Sequence, residues 1–397
     1  GGPGGRFSRK EPPWPPEALR ESKIMKIFKF KDILPQVPNL LFRGRLKFKF
    51  EKLPFEAHGI TWKKKWNFLV AGLNQFFLPA RPWGYPVIAQ VEPANMCNLD
   101  CPLCFTTSIT ASRTPAVLSF DTFKKFIDDL GDYLLLIVLW NWGEPFLNPD
   151  LCRIISYATS KNILVHSSTN GNVRFDDEMA DRIVDSGLSS LVFGVDGARP
   201  ETYSAYRKGG DLERVKENIR SLVRAKRRKS SSTPLINLRF VAMQQNEAEL
   251  SLAEEMAREL EADYFSIKSV DTPSALGENL DQIYRPGGKE YRRYEYINGT
   301  FTRVKKPFVC MRPWKRVTLD ALWEVISCEY DYQDLHPFGS IGNESHSLEV
   351  WKSRQAQEFR RDFHKGHNDF YHCRSCTYKD LWPEDCVKEA RPVASGG

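Results

Sequence analysis

Three cysteines in one short loop constrain this chain more than any other feature. Cys97, Cys101 and Cys104 lie in the stretch Asn-Met-Cys-Asn-Leu-Asp-Cys-Pro-Leu-Cys-Phe, with the spacing C-x3-C-x2-C. Thiolates held this close together select an iron–sulfur cluster or zinc. Because only three ligands come from the loop, one corner of the metal site stays open to a small molecule. The alternatives are a zinc knuckle that lacks one ligand, or three buried cysteines.

The other six cysteines are unevenly placed among the 397 residues. Cys152 stands alone and is expected to be a buried, inert residue on a helix face. Five more form a group near the carboxyl end: Cys310, Cys328, Cys373, Cys376 and Cys386. Clustered spacings favour metal ligation over disulfides, so we expect a reducing, cytoplasmic compartment.

Composition and charge limit the classes of protein that the chain can represent. A content of 41% hydrophobic and 27% charged residues is typical of a soluble globular protein of two or three domains. The longest apolar run, residues 133–140, is too short to span a bilayer, and no secretory signal is evident. Residues 20–65 contain 13 Lys/Arg and 4 Asp/Glu, whereas the net charge of the whole chain is only +7. This basic segment is a solvated face, a dock for an acidic substrate or peptide, or a contact for an anionic membrane surface.

The order of the apolar segments predicts an α/β fold. Residues 1–20 are expected to be a disordered tail, and 21–85 a small basic N-terminal extension with a strand at 46–50 and a helix at 62–77. From residue 86 the pattern alternates strands with amphipathic helices, and we expect the strands at 87–92, 134–140, 163–167, 190–195, 235–243 and 264–270. Helices are expected at 120–130, 178–186 and 212–228. Six such units predict a partial (β/α)6 barrel, open on one side.

Polar residues follow the later strands, and in such a barrel the chemistry lies at the carboxyl ends of the strands. Taken singly, a Gly-Glu-Pro, Asn-Gly or Asp-Gly segment is an ordinary turn. Their order after successive strands makes the set specific. The candidate ligand-binding residues are Gly143, Glu144, Thr169, Asn170, Asp196 and Arg207.

The cysteine loop and these strand ends together resemble the radical S-adenosylmethionine (SAM) superfamily. The resemblance implies that Cys97, Cys101 and Cys104 hold a [4Fe–4S] cluster whose open iron binds SAM. It further implies that Glu144 holds the amino group of SAM and Arg207 its carboxylate, a task that suits the bidentate guanidinium. Such enzymes cleave SAM reductively to a 5′-deoxyadenosyl radical, which takes a hydrogen atom from the substrate, while the protein supplies orientation.

The second cysteine group resembles the SPASM/twitch extension of the same superfamily, and residues 301–397 are its expected extent. Trp382 stands where a full SPASM domain has a further cysteine, so we expect a single auxiliary [4Fe–4S] cluster on Cys310, Cys328, Cys373 and Cys376. Cys386 is then spare or competes for the fourth position. The spacing is similar to that of the twitch-type 2-deoxy-scyllo-inosamine dehydrogenases. A structural zinc site with four cysteine ligands is the alternative.

Three functions are compatible with these features. One is oxidation of a hydroxylated sugar or aminocyclitol, another is maturation of a ribosomally made peptide, and the third is modification of a lipid or lipid-linked glycan at a membrane surface. The expected partners are a reductant such as flavodoxin or ferredoxin and a small-molecule or peptide substrate. Peripheral membrane contact through the basic segment is an option, whereas a nucleic acid is not expected. Candidates for a catalytic base or anion clamp are Arg292, Arg293 and Lys306.

Overall fold

The computed structural model describes residues 34–108, 113–304, 310–342, 345–374, 376–380 and 386–393. The predicted tail at residues 1–20, the candidate Lys306 and the position of Trp382 lie outside these ranges.

A parallel sheet of six consecutive strands forms the centre of the molecule. The strands are β3 (Ile88–Val91), β4 (Leu136–Leu139), β5 (Leu164–Thr169), β6 (Ser190–Gly194), β7 (Leu235–Ala242) and β8 (Tyr264–Ser269). Each pairs in parallel with the next, as from Ile88 opposite Leu136 to Asn237 opposite Tyr264. The predicted partial barrel and its six strands are therefore confirmed.

Helices cover the outer face of this sheet. They are α3 (Phe120–Leu130), α4 (Leu151–Ser160), α5 (Asp177–Asp185), α6 (Pro200–Tyr206), α7 (Leu212–Arg228) and α8 (Leu250–Glu259). In α3 the Ser119 side chain accepts a hydrogen bond from the Thr122 amide, which caps the first turn. Phe123, Phe126 and Leu130 recur at helical spacing and are fully buried against the sheet. Cys152 lies buried on α4, as expected.

Strands from the carboxyl-terminal region extend the sheet at both edges. They are β9 (Arg316–Leu319), β10 (Glu324–Ile326), β11 (Pro337–Ser340) and β12 (Val387–Pro392). Strand β9 pairs in parallel with β3, β10 and β11 follow it in antiparallel order, and β12 pairs with β8. Within the described ranges the sheet therefore has ten strands, and it continues across residue 300, where the sequence predicts a domain boundary.

Short helices complete the fold around the strand ends and the second cysteine group. They are α2 (Phe105–Ser108), α9 (Leu280–Tyr284), α10 (Arg312–Lys315), α11 (Ser347–Trp351), α12 (Arg354–Gly366) and α13 (Tyr371–Arg374). Trp314 and Trp351 are fully buried and belong to the main hydrophobic core. The second cysteine region is thus packed on the barrel and shares its core.

The N-terminal extension closes one end of the barrel. Strands β1 (Leu46–Phe50) and β2 (Leu53–Ala57) form a hairpin, and helix α1 (Trp62–Phe77) follows; the sequence predicts β1 and α1 at these positions. Leu53 and Phe55 pack on Leu136 and Val138, which point to the barrel interior. In the described part of the chain, helices are too short or too polar to cross a membrane.

Candidate active site at the strand ends

The three-cysteine loop follows β3 and is held by its own backbone. The Cys104 amide donates to the Cys101 carbonyl at 3.0 Å, and the Leu99 amide donates to the Cys97 Sγ at 3.4 Å. Cys101 and Leu99 are buried, whereas Cys97 and Cys104 are partly exposed. The loop therefore turns its three thiols into one region beside the other strand ends, and burial raises the pKa of Cys97 to about 11.

Gly143 allows the chain after β4 to lie directly on this loop. Its φ of +102° is in the region that favours glycine, and a Cβ there would come within 2.3 Å of the Ala94 carbonyl oxygen. The next amide, of Glu144, donates to the Met96 carbonyl at 2.9 Å. Only glycine fits, so the position of the Glu144 carboxylate depends on Gly143.

Glu144 is buried, and the end of β5 holds its carboxylate. Thr169 Oγ1 donates to Oε1 at 2.8 Å, the Asn170 amide donates to Oε2 at 2.7 Å, and the Phe146 amide donates to Oε1 at 3.1 Å. Burial raises the pKa of Glu144 to about 7 although these hydrogen bonds oppose the shift. A buried carboxylate in this state is a receptor for an ammonium group, which would restore the charge balance.

Asn170 links the Glu144 side of the site to the cysteine loop. Its Nδ2 donates to Asn98 Oδ1 at 2.8 Å and reaches the Cys97 Sγ at 3.5 Å. Thr169 and Asn170 thus position Glu144 and the loop.

Arg207 lies on the opposite side of the cysteine loop. Its Nε donates to Asp196 Oδ2 at 2.6 Å, and its Nη1 lies 3.9 Å from the Cys101 Sγ. The other oxygen of Asp196 accepts from the Val241 amide at 2.8 Å. Both carboxylate oxygens of Asp196 therefore accept hydrogen bonds from the protein itself, and Asp196 positions the guanidinium of Arg207 beside the cysteine loop.

The six strand-end candidates and the three loop cysteines therefore meet at one place. A carboxylate, a guanidinium and three thiols face the same region, and a glycine provides the close backbone approach. This donor set fits a [4Fe–4S] cluster with one open iron and a ligand that carries both an ammonium and a carboxylate group.

The second cysteine group forms a separate, enclosed site. Cys310, Cys328, Cys373 and Cys376 line one small cavity, which Phe359, Phe363 and Tyr378 close. Burial raises the pKa of Cys310 to about 12 and of Cys376 to about 11, so a bound metal has to supply the stabilisation of the thiolates. Among the described residues, no three or more Cys, His, Asp or Glu side chains converge closely enough to hold a single ion.

Cys386 does not line the four-cysteine cavity. It is buried beside Tyr294 and Val387, and it lines the larger cavity of the barrel interior. Its carbonyl accepts from the Ser269 amide at 2.8 Å, which ties the start of β12 to the end of β8. His372 is buried next to Cys373 but faces Asp331, with 3.7 Å between Nδ1 and Oδ1.

Two arginines and one glutamate beside the four-cysteine cavity are functional candidates that the sequence did not single out. Glu329 contacts Arg312 and lies 3.1 Å from Arg316 Nη1. Burial and the neighbouring Arg312 lower the pKa of Arg316 to about 10. Because two cations share one carboxylate, the group carries excess positive charge. In the sequence, the position of Glu329 directly after Cys328 was the one feature that could have indicated this charged group.

A large cavity lies between residues that flank the two sites. Its volume is about 1500 Å³, and the hairpin, the inner face of the barrel and the second cysteine region all contribute to its lining. Residues 140–142, which directly precede Gly143, lie at its wall, and Arg312, Tyr330 and Tyr378 line both this cavity and the four-cysteine cavity. The cavity therefore extends from the end of β4, directly before Gly143, to residues that also line the four-cysteine cavity.

A buried ion-pair network links chain segments that adjoin the two sites. Arg113 bonds Glu92 at the end of β3 at 2.8 Å, Asp320 after β9 at 3.2 Å and Asp334 at 2.8 Å. Burial raises the pKa of Asp320 to about 7 and of Asp334 to about 6. One guanidinium thus ties the segment after the cysteine loop to the region around Cys328.

The candidate arginines have structural contacts. Arg293 is buried, and its Nη2 lies 3.2 Å from Asp271 Oδ2. Arg292 donates to the carbonyls of Pro286 and Gly287. Arg293 is also 5.3 Å from the ring of Tyr378, at the wall of the four-cysteine cavity. Arg293 therefore lies near the second site, whereas Arg292 braces a loop.

The fold and the two cysteine sites define an iron–sulfur protein built on a partial α/β barrel. Comparison with protein families assigns residues 91–247 to the radical SAM superfamily and residues 310–377 to the iron–sulfur cluster-binding SPASM domain. The chain thus contains a radical SAM domain followed by a SPASM domain, as the sequence resemblance implies. These two domains imply a [4Fe–4S] cluster, SAM and auxiliary iron–sulfur ligation.

Individual proteins match different portions of the chain. The mycofactocin maturase MftC of Mycobacterium tuberculosis is 31% identical over 140 residues, 35% of this chain and 35% of the maturase. The chain therefore aligns with about a third of the length of that relative. The PqqA peptide cyclase of Rhodopseudomonas palustris is 25% identical over 79% of this chain and 85% of its own length. Streptococcus suis SuiB bound to the precursor peptide SuiA has a TM-score of 0.55 at 12% identity, over 90% of this chain and 83% of that one. That structure shows the shared fold.

Proposed function

We propose that this radical SAM enzyme oxidises a peptide that binds in the interior cavity, between SAM at the strand ends and one auxiliary [4Fe–4S] cluster. The observation that carries the proposal is the cavity itself, whose wall includes residues next to Gly143 and residues next to the four cysteines. A substrate bound in this cavity lies between residues that flank the two redox sites.

The binding of SAM follows from the charges at the strand ends. Glu144 accepts hydrogen bonds from the amino group, and Arg207, positioned by Asp196, faces the carboxylate beside Cys101. Asn170 and Thr169 keep Glu144 in place. Cys97, Cys101 and Cys104 hold the cluster to which SAM binds.

The auxiliary cluster is proposed on Cys310, Cys328, Cys373 and Cys376, because these four line one cavity and Cys386 lines another. The bound cofactors supply a radical that takes a hydrogen atom and an acceptor for one further electron. The substrate thereby loses one hydrogen atom, one electron and one proton, and the proton leaves to water. The product therefore contains two hydrogen atoms fewer than the substrate.

The size and charge of the cavity support a peptide. Small-molecule pockets are typically about 300–1000 Å³, and this cavity is about 1500 Å³. Its lining includes seven basic and three acidic side chains, which favours an anionic substrate segment. The basic ones are Lys47, Lys49, Lys52, Lys268, Arg312, Lys315 and Arg316. The peptide-maturing relatives point the same way.

Mass spectrometry tests this function. Reconstituted enzyme is incubated with SAM, dithionite and a synthetic acidic peptide encoded by a short reading frame next to the gene. We expect a product about 2 Da lighter than the peptide, formed together with 5′-deoxyadenosine. A peptide that returns unchanged while 5′-deoxyadenosine accumulates at the rate without peptide contradicts a peptide substrate.

A second candidate is oxidation of a secondary alcohol in a sugar or aminocyclitol. The specific observation in its favour is that Cys386 lies outside the four-cysteine cavity, which leaves a single auxiliary site of the twitch type. Incubation with 2-deoxy-scyllo-inosamine distinguishes it: a ketone product without any peptide turnover favours this candidate.

A further inference from the structure

Helix α1 carries its apolar residues on the exposed side. Six large apolar side chains are between 49% and 69% exposed, and they are Trp62, Trp66, Leu69, Leu73, Phe76 and Phe77. At 3.6 residues per turn they fall within an arc of about 100°. We call this set the apolar face of α1.

Polar side chains fix the orientation of α1 from the opposite side. Lys64 is buried, and its Nζ donates to the carbonyls of Lys161 at 2.9 Å and Asn162 at 3.1 Å. The buried Asn67 accepts from the Tyr85 amide at 2.8 Å, and Asn74 accepts from the Trp83 amide at 2.8 Å. These hydrogen bonds would be lost if α1 rotated to bury its apolar residues. The exposure of the apolar face is therefore built into the fold.

Neighbouring segments extend the same surface. Phe42 is 86% exposed, and the preceding carbonyl, of Leu41, accepts from Lys65 Nζ at 2.7 Å, which places this turn beside α1. Trp83 is 53% exposed and packs on Phe77 with 5.5 Å between ring centroids. The surface thus combines one helix with two flanking aromatic residues.

The charge around this surface is strongly positive. Residues 34–86 contain nine Lys/Arg and two Asp/Glu; three of the nine line the barrel cavity and Lys64 is buried, which leaves Arg43, Arg45, Lys63, Lys65 and Arg81. Arg43 and Arg45 are exposed next to Phe42, and Arg81 is exposed next to Trp83. A Trp- and Phe-rich helix face bordered by basic residues is the composition that binds in the plane of an anionic membrane interface.

We infer that the apolar face of α1 docks on an anionic lipid bilayer and holds the enzyme at a membrane surface. Trp62, Trp66 and Trp83 suit the headgroup level, where an indole ring is half in hydrocarbon and half in water. This inference is independent of the reaction, because it rests on the outer side of the N-terminal extension.

Vesicle flotation tests the inference with the full chain. Wild-type protein should float with vesicles of phosphatidylcholine and 30% phosphatidylglycerol, and much less with phosphatidylcholine alone or in 0.5 M KCl. The variant W66S/L69S/L73S should lose at least tenfold in partitioning. The matched variant I283S/I297S/L335S, which removes three exposed apolar side chains elsewhere, should partition like the wild type. Circular dichroism and iron content verify that each variant folds.

A second variant separates the charge from the apolar contribution. R43Q/R45Q/R81Q should weaken binding to the anionic vesicles at least fivefold and leave the weak binding to neutral vesicles unchanged. Wild-type protein that stays unbound to anionic vesicles overturns the inference. So does a wild-type dimer that W66S/L69S/L73S converts to a monomer without any vesicle binding, since a second copy then covers the face.

Discussion

The two cysteine sites differ in how the chain brings the cysteines together. Cys97, Cys101 and Cys104 come from one eight-residue loop, in which Cys97 and Cys104 are partly exposed and the buried Cys101 lies beside Arg207. Cys310, Cys328, Cys373 and Cys376 come from separate segments and surround a cavity closed by aromatic rings. In the proposed function the open site offers a corner to SAM, whereas the four thiols of the enclosed site are proposed to hold a cluster that serves electron transfer alone.

The arrangement of charged side chains also differs between the open site and the enclosed site. At the open site, Glu144 and Arg207 lie apart and can bind the two ends of an amino acid. At the enclosed site, Arg312 and Arg316 share Glu329 and leave net positive charge next to the thiols. This charge would offset part of the negative charge of a cluster with four thiolates, in line with the role proposed for the enclosed site.

The largest expected effect comes from removing the open site. Changing Cys97, Cys101 and Cys104 to Ala should lower the iron content from about eight to about four per chain and abolish formation of 5′-deoxyadenosine. Iron analysis and chromatography of the reaction measure both. If the triple variant still cleaves SAM, the assignment of the open site is wrong.

The next effect concerns the connection between the sites. Arg113→Met should lower the free energy of unfolding by about 3–5 kcal/mol, because it leaves Glu92, Asp320 and Asp334 buried around a missing cation. Thermal unfolding of the cluster-loaded protein measures it. Arg220→Met, at an exposed ion pair with Glu217, is the control and should change stability by less than about 1 kcal/mol.

A smaller effect is expected from the ionisation of Glu144 at the open site, which should change the affinity for SAM. The pKa of Glu144 is raised to about 7 by burial, so the carboxylate becomes ionised as the pH rises from 6 to 8. SAM affinity should increase by about tenfold over this range, because only the ionised form pairs with an ammonium group. In Glu144→Gln the affinity should be lower and independent of pH. Calorimetry that finds the same pH dependence in both proteins assigns the titration to another group.

The raised pKa has the opposite consequence for folding. Between the ordinary carboxyl range and pH 7 the folded protein binds the proton of Glu144 more tightly than the unfolded chain does. The contribution of Glu144 to stability therefore falls as the pH rises through this window. The Glu144→Gln variant should show a flatter dependence of its melting temperature on pH.

The smallest effect is expected for Cys386. Because it lines the barrel cavity and not the four-cysteine cavity, Cys386→Ala should retain about eight irons per chain and the spectrum of both clusters. Loss of about four irons would show that Cys386 is the fourth ligand of the auxiliary cluster.

Periodic local signals made the barrel predictable. The structure has helices at Phe120–Leu130 and Leu212–Arg228, as predicted, because their apolar spacing is regular and Ser119 and Asp211 cap their first turns. The loop cysteines and the strand-end residues also lie together, since parallel strands bring their carboxyl ends to one edge.

Long-range pairing was less predictable. The three residues of β10 carry little periodicity, and the parallel pairing of β9 with β3 joins segments more than 200 residues apart. Helix α1 shows a different limit of prediction from sequence. Its amphipathic pattern was visible, but the sequence does not reveal that Lys64, Asn67 and Asn74 face inward. Only the hydrogen bonds to the barrel determine which side is buried.

The most direct test of the contrast between the two sites measures the formation of 5′-deoxyadenosine by a variant that lacks the enclosed site. The variant C373A/C376A is reduced with dithionite in the presence of SAM, and its yield is compared with that of the wild type. We predict that this variant, with about four irons per chain, still forms 5′-deoxyadenosine at a rate close to the wild type while substrate oxidation is lost. Loss of 5′-deoxyadenosine formation in a variant that keeps its fold and its remaining cluster would contradict the division of roles between the open and the enclosed site.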